Sequence, residues 1–354
     1  MMSDIVDGNQ ASRSGHRHDD DNLDGAEEVP QLEAEHLEVD SAAGDSAYGE
    51  STKSSYLTSI ASEVTRGTFE NGRRYHSYGS AEYAFPNDDN EVERLDLQHQ
   101  MMTALMQNRL FWAPIDPNPL RVLDLGTGTG VWAMDFADIF ASAEVIGTDL
   151  SPIQKSWVPP NCRFEIDDAE REWTFNTDSF DFIHARNLIC AIRDWPRLVQ
   201  QCYEHTRPGG YVEFQMKHVD IRSDDGTLAA DSALRQWSEM TFEASMKMGT
   251  DFLETTKIKD YMQASGFVNI QEHICKLPIG PWAKNRQLKK VGALELVNFI
   301  DGIEGLSLRM FCKVLGMSIE AVQVHMMEVR NEVKNSKIHS YYPFYVIFGQ
   351  KPER

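Results

Sequence analysis

Three glycines, Gly126, Gly128 and Gly130, alternate with threonines in the stretch VLDLGTGTGVW, directly after a run of apolar residues that contains one acid. Glycine is favoured where a chain turns tightly or where a ligand lies against the backbone, because it has no Cβ. Free N–H groups at the start of a helix are donors for such a ligand. The pattern therefore predicts a ligand-binding turn between a strand and a helix, with Asp124 close to the end of the strand.

The acid beside this turn distinguishes between two kinds of ligand. A nicotinamide dinucleotide would place an anionic pyrophosphate here, and the carboxylate of Asp124 would repel it. Its G-x-G-x-x-G fingerprint would also require glycine at position 131, where the sequence has Val131. S-adenosylmethionine carries no phosphate, and its sulfonium and ammonium groups are cationic. The residues favour S-adenosylmethionine over the alternative, a nicotinamide-dependent oxidoreductase.

Two further acids follow at the ends of the next two predicted strands. Asp149 lies where an acid can accept hydrogen bonds from both ribose hydroxyls of a nucleoside. Asp168, in the stretch IDDAE, lies where it can accept a hydrogen bond from the adenine amino group, with the N–H of Ala169 against the ring. Each acid alone is better explained as a turn or helix-cap residue. Together with the glycine turn they predict a nucleoside site.

The chain around these residues alternates between short apolar strands and amphipathic helices. The predicted strands are 121–125, 144–149, 162–166, 180–185, 211–216, 268–274 and 341–350, and the main intervening helices are 131–140, about 188–206 and 258–267. Strands that alternate with helices form parallel sheets with right-handed crossovers. The prediction is an α/β fold with a doubly wound, mostly parallel seven-stranded sheet, Rossmann-like, with helical insertions.

Composition divides the chain into a tail and one domain. About half of the net charge of −21 lies in residues 1–55, and residues 1–65 have few aromatics and no sustained periodicity, so we predict a disordered acidic tail. The domain, residues 66–354, comprises an arm and helix (66–119), a cofactor-binding half (120–217) and the remaining sheet (218–354). Helical insertions near 223–255 and 283–335 are predicted to cover a substrate pocket.

Several classes of protein are disfavoured by the whole sequence. No basic region followed by an apolar stretch begins the chain, and no apolar run is long enough to span a membrane, so a cytoplasmic protein without a membrane segment is predicted. The five cysteines are scattered, which indicates reduced thiols rather than a disulfide framework. The acidic charge argues against nucleic acid as a partner. No His, Cys or acidic cluster predicts a metal site.

Several motifs resemble those of a known enzyme superfamily. The stretches VLDLGTGTG, TDLSPIQ, IDDAE and RPGG resemble the motifs of class I S-adenosylmethionine-dependent methyltransferases. More narrowly, ENGRRYHSY (70–78), FDFIHAR (180–186) and LPIGPW (277–282) are similar to stretches of LaeA-like fungal methyltransferases. The resemblance extends from about residue 66 to the C-terminus. That family contains tailoring enzymes of natural-product pathways and nuclear regulators of secondary metabolism.

The resemblance implies a set of cofactor-binding residues. On the motifs they are Asp124, Gly126, Thr127, Gly128, Gly130, Asp149, Leu150, Asp168 and Ala169. Arg186 and Asn187 follow the fourth strand of the alternating series, and one of them, Asn187 in preference, is expected to contact the methionine part of S-adenosylmethionine. Tyr75, in the N-terminal arm, is expected to close over the cofactor, although packing of the arm onto the domain explains it as well.

The methyl acceptor is less well defined by the sequence. His218 follows the strand 211–216 and is the candidate general base, with an ordinary loop histidine as the alternative. Methionines and aromatics in 233–249 predict either an apolar pocket or ordinary core. We therefore expect a methyltransferase for a small apolar or aromatic secondary metabolite. The alternative is a nuclear regulator that acts through protein partners, with the acidic tail as a docking segment, or through protein methylation.

Overall fold

Strands and helices alternate through most of the computed structural model, which describes residues 67–76, 83–116, 118–119 and 121–353. The tail predicted for residues 1–65 lies outside these residues. In chain order the strands are β1 (Thr68–Glu70), β2 (Arg73–Tyr75), β3 (Arg121–Leu125), β4 (Glu144–Asp149), β5 (Cys162–Ile166), β6 (Phe180–Arg186), β7 (Thr206–Lys217), β8 (Val268–Pro278) and β9 (Tyr341–Gln350). The α-helices are α1 (Asp89–Leu105), α2 (Val131–Ile139), α3 (Trp195–His205), α4 (Ala233–Met248), α5 (Ile258–Ser265), α6 (Arg286–Leu308) and α7 (Ile319–Val333), with a 3-10 turn at Phe252–Lys257 and a π-helical turn at Arg309–Val314.

The central sheet has seven strands in the order β5-β4-β3-β6-β7-β9-β8. Strands β3 to β7 are parallel, and β9 lies antiparallel between β7 and β8. The predicted doubly wound, mostly parallel sheet is confirmed. After β3 the chain adds β4 and β5 on one side and then β6 and β7 on the other. Ligands of open α/β sheets bind at the carboxyl ends of the strands where the order reverses in this way.

Side chains alternate between the two faces of the sheet, as the period of a strand requires. On β3, Val122 packs with Trp132 and Phe136 of α2, whereas Leu123 belongs to the cluster on the other face, with Leu198 of α3. The predicted insertions form α4, α6 and α7, which pack with α1 into a third apolar cluster. No helix in the described part of the chain is long and apolar enough to cross a membrane.

Among the boundaries that differ from the sequence prediction, two lie at the starts of α3 and β7. The helix expected from about 188 begins at Trp195, where the side chain of Asp194 caps the first turn. Asn187 and Cys190 have positive φ angles of 54° and 60°, which are incompatible with an earlier start. The strand predicted for 211–216 starts earlier, at Thr206, so that RPGG lies within β7, where the pairing with β6 shifts register between Phe180 and Phe182. The Cβ of any other residue at Gly210 would lie 2.8 Å from the carbonyl oxygen of Asp181.

The N-terminal arm forms the hairpin of β1 and β2 and is held by two arginines. Arg73 donates from Nε and Nη2 to the carboxylate of Asp88, at 2.6 and 3.0 Å. Arg309, from the turn after α6, donates to both oxygens of Glu70. Bidentate pairs of this kind fix geometry as well as charge. The arm is thereby tied both to the start of α1 and to the helical insertion.

Candidate active site

A cavity opens at the carboxyl edge of the sheet, between the ends of β3, β4 and β6, and extends under the arm and the helices α1, α4 and α6. Of the residues predicted to bind the cofactor, it is lined by Asp124, Gly126, Thr127, Gly128, Asp149, Leu150, Asp168, Ala169 and Asn187. Gly130, Tyr75 and His218 do not line it. The structure thus brings most of the predicted cofactor residues together at the topological switch point.

The glycine turn owes its shape to left-handed backbone conformations. Gly126, Gly128 and Gly130 have φ angles of 62°, 58° and 80°, which residues with a Cβ rarely adopt. Gly130 is the N-cap residue of α2, and an added Cβ there would overlap the ring of Phe164. Gly130 therefore sets the position of α2 against β5, while the other two glycines expose their backbone to the cavity.

Asp124 is almost fully buried at the floor of the cavity, and both of its oxygens have partners. The hydroxyl of Thr127 donates to Oδ2 at 2.6 Å, and Nδ1 of His184 is 2.7 Å from Oδ1. The imidazole of His184 lies parallel to the indole of Trp132, with ring centroids 3.7 Å apart. Burial lowers the pKa of His184, so a neutral imidazole donates its Nδ1–H. This arrangement holds one negative charge beside the glycine turn.

Asp149 joins the glycine turn to the end of β4. Its Oδ2 accepts from the N–H of Gly128 and its Oδ1 from the N–H of Ser151, each at 2.8 Å. Burial raises the pKa of Asp149 to about 6, against the opposing effect of these hydrogen bonds. A carboxylate has about four acceptor positions, so two remain for donors of a ligand.

The loop after β5 holds the third predicted acid. The N–H of Glu170 donates to Oδ1 of Asp168 at 3.0 Å, and the N–H of Asp168 donates to the side chain of Asp167. Leu150 and Ile153, from the loop after β4, also line the cavity. An acid and two aliphatic side chains near one another suit a flat, partly polar ring such as adenine.

The side chain of Asn187, which follows β6, is hydrogen-bonded to the backbone at the end of β7. Its side-chain oxygen accepts from the N–H of Lys217 at 2.9 Å, and its Nδ2 is 3.4 Å from the sulfur of Met102. The neighbouring Arg186 also lines the cavity, and its Nη2 donates to Nδ1 of His99 at 2.7 Å. Burial lowers the pKa of Arg186 to about 10, so the guanidinium stays charged at neutral pH.

Comparison with known proteins agrees with this geometry. A family model described as a methyltransferase domain matches residues 97–272. The methyltransferase pytC of Aspergillus terreus is 42% identical over 299 residues, which cover 84% of this chain and 92% of that protein. The chain belongs to the LaeA-like family of S-adenosylmethionine-dependent methyltransferases.

Two other relatives of the methyltransferase are named as a regulator and as a protein methyltransferase. The secondary metabolism regulator LAE1 of Cochliobolus heterostrophus is 34% identical over 80% of this chain and 95% of its own length. The protein-methionine methyltransferase laeA of Emericella nidulans is 35% identical over 80% of this chain and 76% of its own length. The family therefore includes members with different named roles.

Tyr75 was predicted to close over the cofactor of the methyltransferase, but it does not line the cavity. The ring of Tyr75 is fully buried beneath the guanidinium of Arg309, 4.1 Å from its centre, and does not reach the cavity. The arm instead contributes residues that follow it in the chain, Tyr83, Phe85, Pro86 and Asn87. Asn87 donates to the hydroxyl of Ser151 at 3.3 Å, which links the arm to the loop after β4.

His218 likewise does not reach the cavity of the methyltransferase, which argues against the predicted role of general base. The side chain is 2% exposed, its ring lies beside those of Phe242 and Tyr345, and its Nδ1 accepts from the N–H of Asp220. Burial lowers its pKa to about 4, so it is neutral and poorly suited to hold a proton. Its position at the end of β7 was correct, but the side chain points into packing under α4.

The far side of the cavity contains a buried charged network that the sequence analysis missed. Arg94 of α1 donates to both oxygens of Glu91, at 2.9 and 2.6 Å, and from Nη1 to Asn298 of α6 at 2.8 Å. Asn298 donates in turn to Glu295, and Nζ of Lys217 is 3.3 Å from the other oxygen of Glu295. The i,i+3 spacing of Glu91 and Arg94 was visible in the sequence, but exposed helical pairs have the same spacing.

Apolar side chains form the rest of this far side. They come from the arm, the loops after β6 and β7, α4, the 3-10 turn, α6 and β9: Phe85, Leu188, Ile189, Val219, Trp237, Phe252, Leu306 and Tyr342. Within the described residues, no group of three or more His, Cys, Asp or Glu side chains is placed to hold a metal ion. The cavity of the methyltransferase thus has an acidic, glycine-lined end and an apolar end with a buried ionic network.

Proposed function

We propose that this methyltransferase transfers the methyl group of S-adenosylmethionine to a small apolar or aromatic secondary metabolite by direct displacement. The observation that carries the proposal is the apolar end of the cavity, where helices and the arm surround the space next to the cofactor end. Aromatic and aliphatic walls with few polar groups are typical of sites for small organic ligands. The similarity to pytC supports the same class of reaction.

In the proposed binding mode the cofactor lies along the carboxyl edge of the sheet. Asp149 accepts hydrogen bonds from the two ribose hydroxyls, and Asp168 with Ala169 contacts the adenine. Asp124 supplies the negative charge for the ammonium and sulfonium groups. Arg186 binds the methionine carboxylate, because its guanidinium is charged, lines the cavity and is held only by His99 among the described residues.

Alignment of the three reacting atoms would supply much of the catalysis. In a methyl transfer the acceptor atom, the methyl carbon and the sulfur must be collinear, and correct positioning of reactants contributes roughly 7–11 kcal/mol in well-oriented reactions. The arm tied to Ser151, together with α1, α4 and α6, would hold the acceptor against the cofactor and exclude water from the sulfonium. No general base is required by this scheme if the acceptor is already anionic or is a neutral amine.

The proposal is tested by following a labelled methyl group. The protein is incubated with methyl-labelled S-adenosylmethionine and one of two extracts from a fungus that makes secondary metabolites. One reaction contains the metabolite extract and the other contains the protein extract. We expect label in the small-molecule fraction, and none with the Asp149→Ala variant. Label that enters only the protein fraction would overturn the proposal.

The second candidate is a regulator that methylates or binds proteins in the nucleus. It is favoured by the similarity to LAE1 and to laeA, each at 34–35% identity. The acidic segment 1–65 would then be the docking segment for a protein partner. This candidate predicts label in the protein extract and a nuclear location, whereas metabolite methylation predicts a cytoplasmic enzyme.

A further inference from the structure

Lys217 is placed where the two ends of the cavity meet. It is the last residue of β7, and its N–H donates to the side chain of Asn187 at the end of β6, which fixes its backbone beside the proposed cofactor site. The side chain is 12% exposed and lines the cavity. Its ammonium group therefore faces the space between the cofactor end and the apolar end.

The ammonium group of Lys217 keeps donors that no described residue accepts. A lysine has three N–H donors, and the structure pairs one of them with Glu295, at 3.3 Å, while the ring of Tyr342 lies 4.7 Å from Nζ. The other cation of this region, Arg94, donates four hydrogen bonds to protein oxygens. Of the two, Lys217 is the one with donors left for a ligand.

The charges around Lys217 are balanced in pairs, so an anion would be bound through the unused N–H donors of its ammonium group. Glu295 of α6 offsets one charge, Tyr342 of β9 is buried and neutral, and Glu91 of α1 is paired with Arg94. The acids that suit a cationic cofactor lie at the other end of the cavity. An anionic acceptor would be drawn towards Lys217 and towards the sulfonium, whereas a protonated amine would be repelled by both.

We propose that Lys217 binds the acceptor as an oxyanion, so that the substrate class is an acidic hydroxyl compound, a phenol or an enol, rather than an amine. This inference rests on the proposed function and narrows it. The hydroxyl group loses its proton to solvent as it binds. Its oxygen, or the conjugated carbon of an enolate, then forms a bond to the methyl carbon as the carbon–sulfur bond breaks. The electron pair of that bond stays on sulfur, and no protein group has to take a proton in the transfer step.

The direct test uses 4-nitrophenol, whose anion absorbs visible light, with the full-length protein saturated with S-adenosylhomocysteine. Titration across pH gives the apparent pKa of the bound probe. We expect the wild-type protein to lower it by about one unit, which corresponds to about tenfold tighter binding of the anion than of the neutral form. Lys217→Met should abolish this shift, and Glu295→Gln should enlarge it because the competing carboxylate is gone. 4-Nitroaniline, of similar shape but uncharged, should bind the wild type and Lys217→Met equally.

A double variant separates binding of the acceptor from a merely structural role. Lys217→Met leaves Glu295 buried without its cation, so a loss of thermal stability is expected. Lys217→Met/Glu295→Gln should recover the melting temperature and still show no shift of the probe. Recovery of the shift in the double variant would assign Lys217 to neutralising Glu295 and overturn the inference.

Two other results would overturn the inference. The first is a probe that fails to bind the wild-type protein or that binds with its usual pKa. The second is an N-methylated product in the metabolite extract, which would leave the proposed function intact. Label that enters only the protein fraction would instead reject the proposed function itself.

Discussion

The two ends of the cavity are built in different ways. The proposed cofactor end uses residues between 124 and 187, in which backbone N–H groups and short acids follow successive strands of one sheet. The opposite end joins side chains that lie far apart in the chain, such as Arg94 and Asn298, 204 positions apart. The first is stable because the sheet positions its loops, whereas the second depends on ion pairs and packing between the insertions. Substitutions should therefore affect binding at one end and folding at the other.

The largest effect is expected from breaking the ionic network. Arg94→Met removes a guanidinium that is 7% exposed and leaves the carboxylate of Glu91 buried without its partner. Loss of one member of a buried pair costs about 3–5 kcal/mol. We expect the free energy of unfolding in urea to fall by that amount. The double variant Glu91→Leu/Arg94→Met, which removes both charges, should recover much of it, and a single variant within 1 kcal/mol of wild type would show that the network contributes little.

At the cofactor end the opposite pattern is expected. Asp149→Ala removes the acceptor of both ribose hydrogen bonds, and each bond to a charged group contributes about 1.5–3 kcal/mol. Affinity for S-adenosylhomocysteine, measured by calorimetry, should fall by about 100-fold or more. The unfolding curve should change little, because the alanine variant no longer buries a carboxylate. An affinity within threefold of wild type would show that another residue binds the ribose.

Glu213, a buried residue of β7, belongs to neither end: its carboxylate accepts from the N–H groups of Trp112 and Ala113 in the segment that follows α1. Burial raises its pKa to about 7 from 4.5, so the folded chain holds this proton more tightly than the unfolded chain. The resulting stabilisation is fully present below pH 4.5 and is lost as the pH rises through 7.

The Glu213→Gln variant lacks this titration. The free energy of unfolding of the wild type minus that of the variant should therefore fall by about 3 kcal/mol between pH 4.5 and pH 8, because one pKa unit corresponds to about 1.36 kcal/mol. Urea titrations at a series of pH values measure the difference. A difference that stays flat or rises with pH would contradict the burial argument for this carboxyl group.

The smallest effect is expected from alanine substitutions at two glycines that have similar left-handed backbone conformations. Gly130 and Gly226 have φ angles of 80° and 73°, but an added Cβ would overlap Phe164 only at Gly130 and would meet open space at Gly226. Alanine at either site costs about 1–2 kcal/mol of backbone strain. Gly130→Ala should cost about 1–3 kcal/mol more because of overpacking, as measured by urea unfolding. Equal losses would show that Phe164 moves aside freely.

The sequence predicted the cofactor end more closely than the opposite end. The strand 144–149 and the last strand 341–350 have the predicted bounds, and the acids Asp124, Asp149 and Asp168 line the cavity. These features depend on local periodicity and on the rule that ligands bind where the strand order reverses. The binding roles of these acids remain predictions until a cofactor is measured against their variants.

Positions that depend on packing were predicted less well. Asn187 and the neighbouring Arg186 both line the cavity, but the side-chain oxygen of Asn187 already accepts from the N–H of Lys217, so its expected contact with the methionine part stays a prediction. His218 and Tyr75 are in the expected segments, yet their rings are buried away from the cavity. Whether a side chain at a strand end faces a ligand or a helix depends on which helix covers it, and the local sequence does not contain that information.

The sequence by itself determined the order of strands and helices, the glycine turn and the acids that follow each strand, because hydrophobic period and glycine conformation act over a few residues. Only the tertiary structure decided that Glu91, Arg94, Lys217 and Glu295 lie together in one buried network. Their pairing depends on how α1, α6 and β7 pack, and in sequence each of them resembles an ordinary surface charge.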